Sequence, residues 1–520
     1  MKRLLATAVV ALGAMTGAAA AETTLVVAMQ ADPTGLDPEA VLNNTSGFVM
    51  ATIYDSLVKF KPGTTDVEPG LAEKWDISPD GLTYTFHLKK GVKFHDGTPF
   101  NAEAYVHDLN RWLKKDDPDS IYKTGPVEGY LDDTFDPLDS YRAVDEYTVE
   151  MKLKHPYAPF LTNLAMVWNG ITSPAATQKL GKDFRSNPVG TGPFIFKEWK
   201  RGDQVVLTAN KSYWNGKPKV DRLIFKVMPD PQASLLALKR GDVHILADVS
   251  AQIIPAMKQD KNIVVMTQPG LAVSGVGLPF DTKPFNDKRV RQALNYAIDK
   301  DAIDKSLFRG LAVRMTSPLP EAQWGFDKSL KGYPYDPKKA KELLAAAGYP
   351  NGFESELLTY NSARGYNSAG AELAVAIQGQ LEKIGVKTSV RKEEIGAYLS
   401  EIRSKTKPYS GMFLVGWTGD NGDPDNFLDE LFASDRIPVT NTVRYKNPEV
   451  DKVLAEAQRE SDHAKRVALY HTAQKEILDD APWIFINSLL QVRGARKEVK
   501  GYELNPTQMF FDMEKVSLSK

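Results

Sequence analysis

An acidic, glycine-rich segment directly follows the most apolar run in the middle of the chain. Gly411 to Trp417 reads GMFLVGW, which predicts a strand buried on both faces, and residues 417–425 continue as WTGDNGDPD. Ligands of open α/β sheets bind beyond the carboxyl ends of the strands. Carboxylates there can hold a cation such as an ammonium group, and the Trp417 indole can add a cation–π wall. A plain Asx-rich turn explains the pattern equally well, whereas the spacing and distal Glu of a calcium loop are missing.

A second candidate is Arg364, in residues 360–367 (YNSARGYN), ahead of a helix predicted to begin at Ala371. A guanidinium fork pairs with a carboxylate through two hydrogen bonds and thereby fixes its orientation. A surface arginine is the common alternative. The residues alone therefore offer one acidic and one basic candidate in the same half of the chain, and they do not show that both face one ligand.

Familiar catalytic and metal-binding patterns were not found. The chain has no H-E-x-x-H, no Walker A loop and no G-x-S-x-G, and its seven histidines are scattered without metal-ligand spacing. Its acidic pairs do not single out a glycosidase dyad. Zero cysteine removes thiol nucleophiles and thiolate metal sites. The sequence predicts a protein that is not an enzyme, with no cofactor and no resident metal.

Composition excludes several classes of protein. The 520 residues carry 65 basic and 66 acidic side chains, so no overall positive field attracts nucleic acid. Apolar residues make up 42%, which is ordinary for a soluble globular chain. After the N-terminus no apolar run reaches the roughly 18 residues expected of a membrane span. We expect a protein that binds no nucleic acid and does not itself span a membrane.

The N-terminus has the three parts of a secretory signal peptide in order. Lys2 and Arg3 are positive, Leu4 to Met15 is apolar, and Ala19-x-Ala21 offers a cleavage site. A short buried helix is the alternative. Cleavage near Ala21 would change the formal net charge from −1 to −3, because two cations leave. Since no cysteine can carry a lipid, we expect a freely diffusing periplasmic protein.

Coarse patterning divides the mature chain in two. Strands are predicted at Thr24–Met29 and within residues 83–88 and 144–153, with a helix-like stretch at residues 71–75 (LAEKW). After Gly270, capped helices alternate with strands. The helices include residues 337–347, 371–384, 448–459 and 463–478. This alternation favours an α/β sheet in the second half.

Five segments make the chain resemble a known family: residues 69–75 (PGLAEKW), 80–88 (DGLTYTFHL), 91–97 (GVKFHDG), 187–194 (NPVGTGPF) and 287–298 (DKRVRQALNYAI). It is similar to the extracytoplasmic solute-binding proteins of ABC importers, in the cluster that takes peptides, oligopeptides and nickel. Residues 416–427 (GWTGDNGDPDNF) resemble the dipeptide-binding members in particular.

The resemblance implies roles for individual residues. Asp420 would hold the α-ammonium group of a peptide, and Arg364 its α-carboxylate. The family's Arg-x-Tyr-Asn pattern is matched through Tyr366 and Asn367, although the proline that follows in the family is replaced by residues 368–370 (SAG). The further predicted ligand-binding residues are Trp417, Thr418 and Gly419 beside Asp420, and Asn44 and Ser46 in the facing loop at residues 43–47.

The resemblance also implies an α/β, two-lobed periplasmic-binding-protein fold with a hinge and an extra subdomain inserted in the first lobe. We expect the signal peptide at 1–21, the first lobe at 22–270 with the insertion at about 60–185, the second lobe at 271–484, and a return to the first lobe at 485–520. The hinge crossings are predicted at Gly270–Phe280 and Pro482–Leu490.

The predicted function follows from the same resemblance: a monomer that closes around a dipeptide or short peptide and delivers it to the transmembrane subunits of an ABC permease. Haem, 5-aminolevulinate, glutathione, longer peptides or a metal chelate are alternative ligands. An exported peptide or glycan hydrolase is the alternative from another functional class, and it lacks a recognisable catalytic constellation.

Overall fold

The computed structural model describes residues 22–124, 127, 132–362 and 364–519, so the predicted signal peptide lies outside the described residues. The strands described up to the first crossing are β1 (Thr24–Met29), β2 (Val58–Phe60), β3 (Val67–Pro69), β4 (Ala72–Ile77), β5 (Thr83–Leu88), β6 (Leu138–Asp145), β7 (Thr148–Leu153), β8 (Phe194–Lys200), β9 (Gln204–Ala209), β10 (Arg222–Val227), β11 (Ile245–Leu246) and β12 (Ile263–Pro269). The helices of the same part are α1 (Asn44–Ile53), α2 (Ala102–Leu113), α3 (Asp132–Phe135), α4 (Phe160–Leu164), α5 (Pro174–Leu180), α6 (Pro231–Arg240) and α7 (Ile254–Lys258).

The following part alternates strands and helices, as its periodicity predicts. Its strands are β13 (Ala272–Gly277), β14 (Ala312–Arg314), β15 (Glu354–Tyr360), β16 (Lys387–Glu393) and β17 (Met412–Thr418). Its helices are α8 (Lys288–Tyr296), α9 (Lys300–Ile303), α10 (Pro337–Ala346), α11 (Gly370–Glu382), α12 (Ile395–Ile402), α13 (Asp425–Phe432), α14 (Pro448–Arg459) and α15 (His463–Asp480). The chain then returns through β18 (Trp483–Arg496), β19 (Val499–Lys500) and β20 (Ser517–Leu518).

A single long sheet path connects both parts. Its strand order is β16-β15-β17-β13-β18-β11-β1-β10-β9-β8, with β12 and β14 also paired to β18. β18 is antiparallel to β13 through its first residues and to β12 through its last ones. It therefore crosses between the two halves of the molecule, beside the β12–β13 connection at Gly270.

Two large apolar cores lie on either side of this crossing. One is built from residues between Leu25 and Ala247 together with Ala495 to Val516, and the other from residues between Leu271 and Ile486. The predicted lobe boundaries remain our proposal, and the separation of the cores supports them. Among the described helices, none combines the length and the apolar character needed to cross a membrane.

Four strands that lie between β3 and β8 in the chain form a separate sheet, in the order β4-β5-β7-β6. Helix α2 packs against this sheet. Here one local prediction is wrong: residues 71–75 do not begin a helix, because Ala72–Ile77 is a strand paired with β5. Trp75 lies opposite Phe86 in this pair. The strongly alternating β5 offers a pairing partner that overrides the helical preference of Leu, Ala, Glu and Lys.

Candidate functional site

The acidic and basic candidates emerge at one edge of the sheet. β15 and β17 are parallel neighbours, with Leu357 opposite Met412 and Leu358 opposite Phe413. Arg364 follows the end of β15 by four residues, and Asp420 follows the end of β17 by two. Because parallel neighbours end at the same edge, both side chains begin where an α/β sheet binds its ligands.

The turn that carries Arg364 is held by its own backbone. The Arg364 N–H donates to the Asn367 carbonyl, and the Asn367 N–H donates back to the Arg364 carbonyl, both at 2.9 Å. The buried Asn367 side chain also accepts from the N–H of Ala369 at 3.0 Å, just before α11 begins. These bonds define the turn although the family's proline is absent, so the substitution at residues 368–370 does not leave Arg364 on an unsupported loop.

The aromatic ring of Tyr366 packs on the end of β17. A Cβ atom at Gly416 would overlap this ring, so the glycine provides the space for it. The Arg364 guanidinium lies 5.8 Å from the centre of the same ring. Its Nε and the Oγ of Ser362 are buried without a hydrogen-bond partner. Buried polar atoms are rarely left in this state, so they indicate where an acceptor-bearing ligand would bind.

The segment from Trp417 to Asp420 is held by one amide. The Asn426 side-chain oxygen, in the first turn of α13, accepts from the Trp417 indole N–H and from the Asp420 backbone N–H, each at 3.1 Å. The Gly419 N–H donates to the Leu271 carbonyl at 2.7 Å, and a Cβ there would approach the ring of Phe427 to 2.6 Å. The carboxylate of Asp420, which is partly exposed, is thus carried on a fixed backbone.

Two further acids of this loop are buried, and one of them is paired with an arginine. Asp423 is buried and receives two hydrogen bonds from the guanidinium of Arg466, at 2.9 and 2.8 Å. Asp425 is buried too; burial raises the pKa of its carboxyl well above the usual range, and the neighbouring Asp429 and Asp423 raise it further. Sequence reasoning could not predict the burial of these acids or the pairing of Asp423, because Arg466 lies on a distant helix.

Asn44 faces this edge from the first half of the chain. The position that a Cβ of Gly365 would take lies 3.4 Å from the Thr418 hydroxyl and 3.7 Å from the Asn44 amide nitrogen. The N-terminus of α1, the end of β17 and the Arg364 turn therefore meet. Ser46, in contrast, is buried with a local partner, since its hydroxyl accepts from the Thr34 N–H at 3.1 Å.

The residues that follow Asp420 contact the first half of the chain, and sequence reasoning did not predict these contacts. The Asn421 amide donates to the Asn163 side-chain oxygen at 2.6 Å. The Tyr157 hydroxyl donates to Asp425 at 3.3 Å, and the Ala158 N–H to the Gln458 carbonyl at 2.7 Å. No local pattern marks these pairs, because each depends on residues hundreds of positions apart. Together they connect the two halves of the chain beside the site.

Comparison with known proteins places the chain among solute-binding proteins. The model of "Bacterial extracellular solute-binding proteins, family 5 Middle" matches residues 66–438. The chain is 37% identical to the dipeptide-binding protein of Escherichia coli (strain K12) over 511 residues, which is 95% of this chain and 94% of that protein. It is also 37% identical to heme-binding protein A of Haemophilus influenzae over 487 residues, 91% of this chain and 88% of that protein.

Among solved structures, the chain is similar to the ABC transporter-associated periplasmic binding protein DppA from Helicobacter pylori in complex with the peptide STSA. The TM-score is 0.82 at 35% sequence identity, with 96% of this chain and 99% of that chain covered. This similarity confirms the predicted α/β, two-lobed fold. These relatives are named as binding proteins and not as enzymes.

Proposed function

The chain belongs to family 5 of the bacterial extracellular solute-binding proteins, and from that premise we propose that it captures dipeptides for an ABC importer. The observation that carries this proposal is the meeting of the Arg364 turn, the end of β17 and Asn44 at one sheet edge. A cationic and an anionic side chain on that edge suit a ligand that is itself charged at both ends.

Asp420 is proposed to bind the α-ammonium group and Arg364 the α-carboxylate. A dipeptide spans at most about 7 Å at roughly 3.3–3.6 Å per residue, so two fixed anchors select length. A single amino acid has both termini but is too short to reach both anchors, so it leaves one of the charged side chains without its partner in a closed site. Such an unpaired charge is costly, and this cost favours dipeptides over single amino acids.

Delivery outside the cytoplasm belongs to the same proposal. We propose that the leader is cleaved after Ala21 and that the mature chain carries its ligand, as a monomer, to the permease. N-terminal sequencing of the protein from a periplasmic fraction tests the cleavage, and it should begin at Glu22. Incubation with dipeptides should release no free amino acids, because the proposed role is binding without turnover.

Calorimetric titration of charge-removing variants tests the anchors. We expect Asp420→Asn and Arg364→Gln each to weaken dipeptide binding by roughly 10- to 150-fold, since a hydrogen bond to a charged group contributes about 1.5–3 kcal/mol. Mass spectrometry of the ligand released on denaturation identifies what the purified protein carries. Haemin is titrated in parallel, because one relative is named for haem.

The matched controls are Asp435→Asn and Arg459→Gln, which remove the same charges at exposed positions of the same half. They should bind like the parent protein. If Asp420→Asn and Arg364→Gln also bind like the parent, the two-anchor proposal is wrong. Tight haemin binding with no dipeptide binding would reject the ligand class.

A further inference from the structure

A row of buried polar side chains runs along the strands that cross between the two halves. Its members are Ser274 on β13 and Asn487, Gln491 and Arg493 on β18. Their exposed fractions are 0%, 2%, 4% and 4%, respectively. Each has at least one buried nitrogen or oxygen without a hydrogen-bond partner: Ser274 Oγ, both side-chain atoms of Asn487, Gln491 Nε2 and Arg493 Nε.

This polar row lies on the ligand side of the sheet. Ser274 is paired with Asn487 on one neighbouring strand and with Gly416 on the other. Residues directly opposite each other in a sheet point to the same face. Gly416 is where the Tyr366 ring packs, next to the Arg364 turn. Asn487, Gln491 and Arg493 share that face because strand residues two apart point the same way.

The far end of the row is a buried cation. The Arg493 guanidinium lies 5.4 Å from the ring centre of Phe48 and 5.5 Å from that of Phe510. Its Nη2 donates to the Gln508 carbonyl at 2.9 Å, and Nη1 contacts the Val492 carbonyl at 3.3 Å. No carboxylate in the described part of the chain forms an ion pair with it. A buried charge of this kind is normally paired.

Phe48 connects this cation to the proposed site. It lies one turn after Asn44 on α1, so the two side chains share a helix face. Asn44 in turn approaches the Gly365 position beside Arg364. The polar row therefore begins under the Arg364 turn and ends under the helix that faces it.

Most of the unpartnered atoms in the polar row are donors, so the row lacks mainly hydrogen-bond acceptors. The Gln491 side-chain oxygen already accepts from Gln268 at 2.7 Å, which leaves its amide N–H group free to donate. The unpartnered nitrogens of Asn487, Gln491 and Arg493 are all donors. A neutral apolar side chain would leave these donors unsatisfied, whereas a carboxylate supplies several acceptor positions and a compensating charge.

We propose that this polar row binds an acidic side chain of the ligand, so that the protein prefers dipeptides containing Glu or Asp. The inference rests on the proposed dipeptide function and adds a substrate preference to it. Arg493 supplies the charge, and Gln491, two residues before it on the same face of β18, orients the carboxylate. Whether the acidic residue is first or second in the dipeptide is decided by testing both orders.

Titration with isosteric pairs of dipeptides tests the preference. The panel is Ala-Glu against Ala-Gln and Glu-Ala against Gln-Ala, so only the charge differs within a pair. We expect the parent to bind the acidic member of at least one pair about tenfold or more tightly, as a charge-assisted pair predicts. In Arg493→Gln that ratio should fall to about one.

Gln491→Glu provides a second variant that keeps Arg493. Its added carboxylate competes for the same guanidinium, and it should also abolish the acidic preference. This variant decides the question if thermal unfolding shows that Arg493→Gln does not fold. If the parent binds the Glu and Gln dipeptides with equal affinity in both orders, the inference is wrong, although the proposal of dipeptide binding is unaffected. A preference that persists in the folded variants overturns it as well. If no dipeptide binds the parent, the proposed function itself fails, and this inference fails with it.

Discussion

At the scale of single residues, a buried ionic cluster supports the segment that leads into α1. Arg111 donates to Asp37 at 2.5 Å and to Glu39 at 2.6 Å, and Asp108 lies beside them, accepting from Thr172. Three carboxyl groups share one guanidinium in a buried setting. Burial raises the pKa of Glu39 well above its usual range, the Arg111 charge opposes this rise, and the hydrogen bond with Asp108 adds to it. Folding therefore shifts the Glu39 carboxyl toward its protonated form.

This upward shift of the Glu39 pKa predicts a pH dependence of stability. Below the unfolded pKa of about 4.5 both states hold the proton. As pH rises above that value, the unfolded state releases it while the folded state keeps it, so the free energy of unfolding falls, by at most about 1.4 kcal/mol per pH unit. We expect Glu39→Gln to remove this contribution, so that its stability relative to the parent improves as the pH rises above about 5.

Urea denaturation at a series of pH values measures the difference. Glu354→Gln is the control, because the Glu354 side chain is 83% exposed and should leave the profile unchanged. Parallel profiles for the parent and Glu39→Gln would show that Glu39 ionises alike in both states and would contradict the prediction.

At the scale of elements, the loop after β17 belongs to the proposed site and also contacts the other half of the molecule. Its first residues present Asp420 at the proposed site, and the next ones contact the other half of the molecule through Asn421 and Asn163. Gly422 continues this contact, with φ at +67° and Thr65 directly beside it. We therefore expect this short loop to couple ligand binding to contact between the halves.

Gly422→Ala tests this coupling. The new Cβ would overlap Thr65 and would also disfavour the positive φ angle. Because the overlap exists only when the halves are in contact, we expect dipeptide affinity to fall by roughly tenfold or more while each core stays folded. Thr65→Gly in the same chain should restore part of the affinity, since it removes the overlapping atoms.

The control for this variant is Gly379→Ala in α11, where nothing lies within 4 Å of the new Cβ. It should leave affinity unchanged and stabilise the helix by about 0.5–1 kcal/mol. Unchanged affinity in Gly422→Ala, measured by calorimetry, would mean that the loop contact does not contribute to binding.

At the scale of the whole molecule, two apolar cores are joined by a few extended segments. β18 pairs with β13 near one core and with β12 near the other. Few backbone angles need to change for the cores to rotate about this crossing, as in other hinge motions. A ligand held between the cores then stabilises the closed arrangement by its differential affinity for it.

Small-angle X-ray scattering with and without dipeptide tests this closure. We expect a smaller radius of gyration with saturating dipeptide, and a higher melting temperature, because ligand at 100 times its Kd adds about 2.7 kcal/mol to the folded state. A single amino acid at equal concentration is the control, and it should change neither the radius of gyration nor the melting temperature. A melting shift without compaction would contradict hinge closure while leaving binding intact.

Much of the local structure was predictable from the sequence. β1 has the predicted bounds, and α14 matches residues 448–459, because apolar periodicity and the Asn447–Pro448 cap act within a few residues. Helices α10 and α15 likewise begin at the predicted residues, 337 and 463. The family was predictable too, since its segments are contiguous in the chain. Asp420 and Arg364 were candidates for the same reason.

Only the tertiary structure decided which of these residues meet. It paired residues 72–77 with β5 against their local preference, assigned Asp423 to Arg466, and left Asp420 at the sheet edge. It also aligned the polar row that ends at Arg493, whose members come from two strands more than two hundred residues apart. Local patterns record how a segment buries its own apolar face. Charge pairing and ligand geometry depend on which distant segments share that burial, and this is settled only when the cores pack.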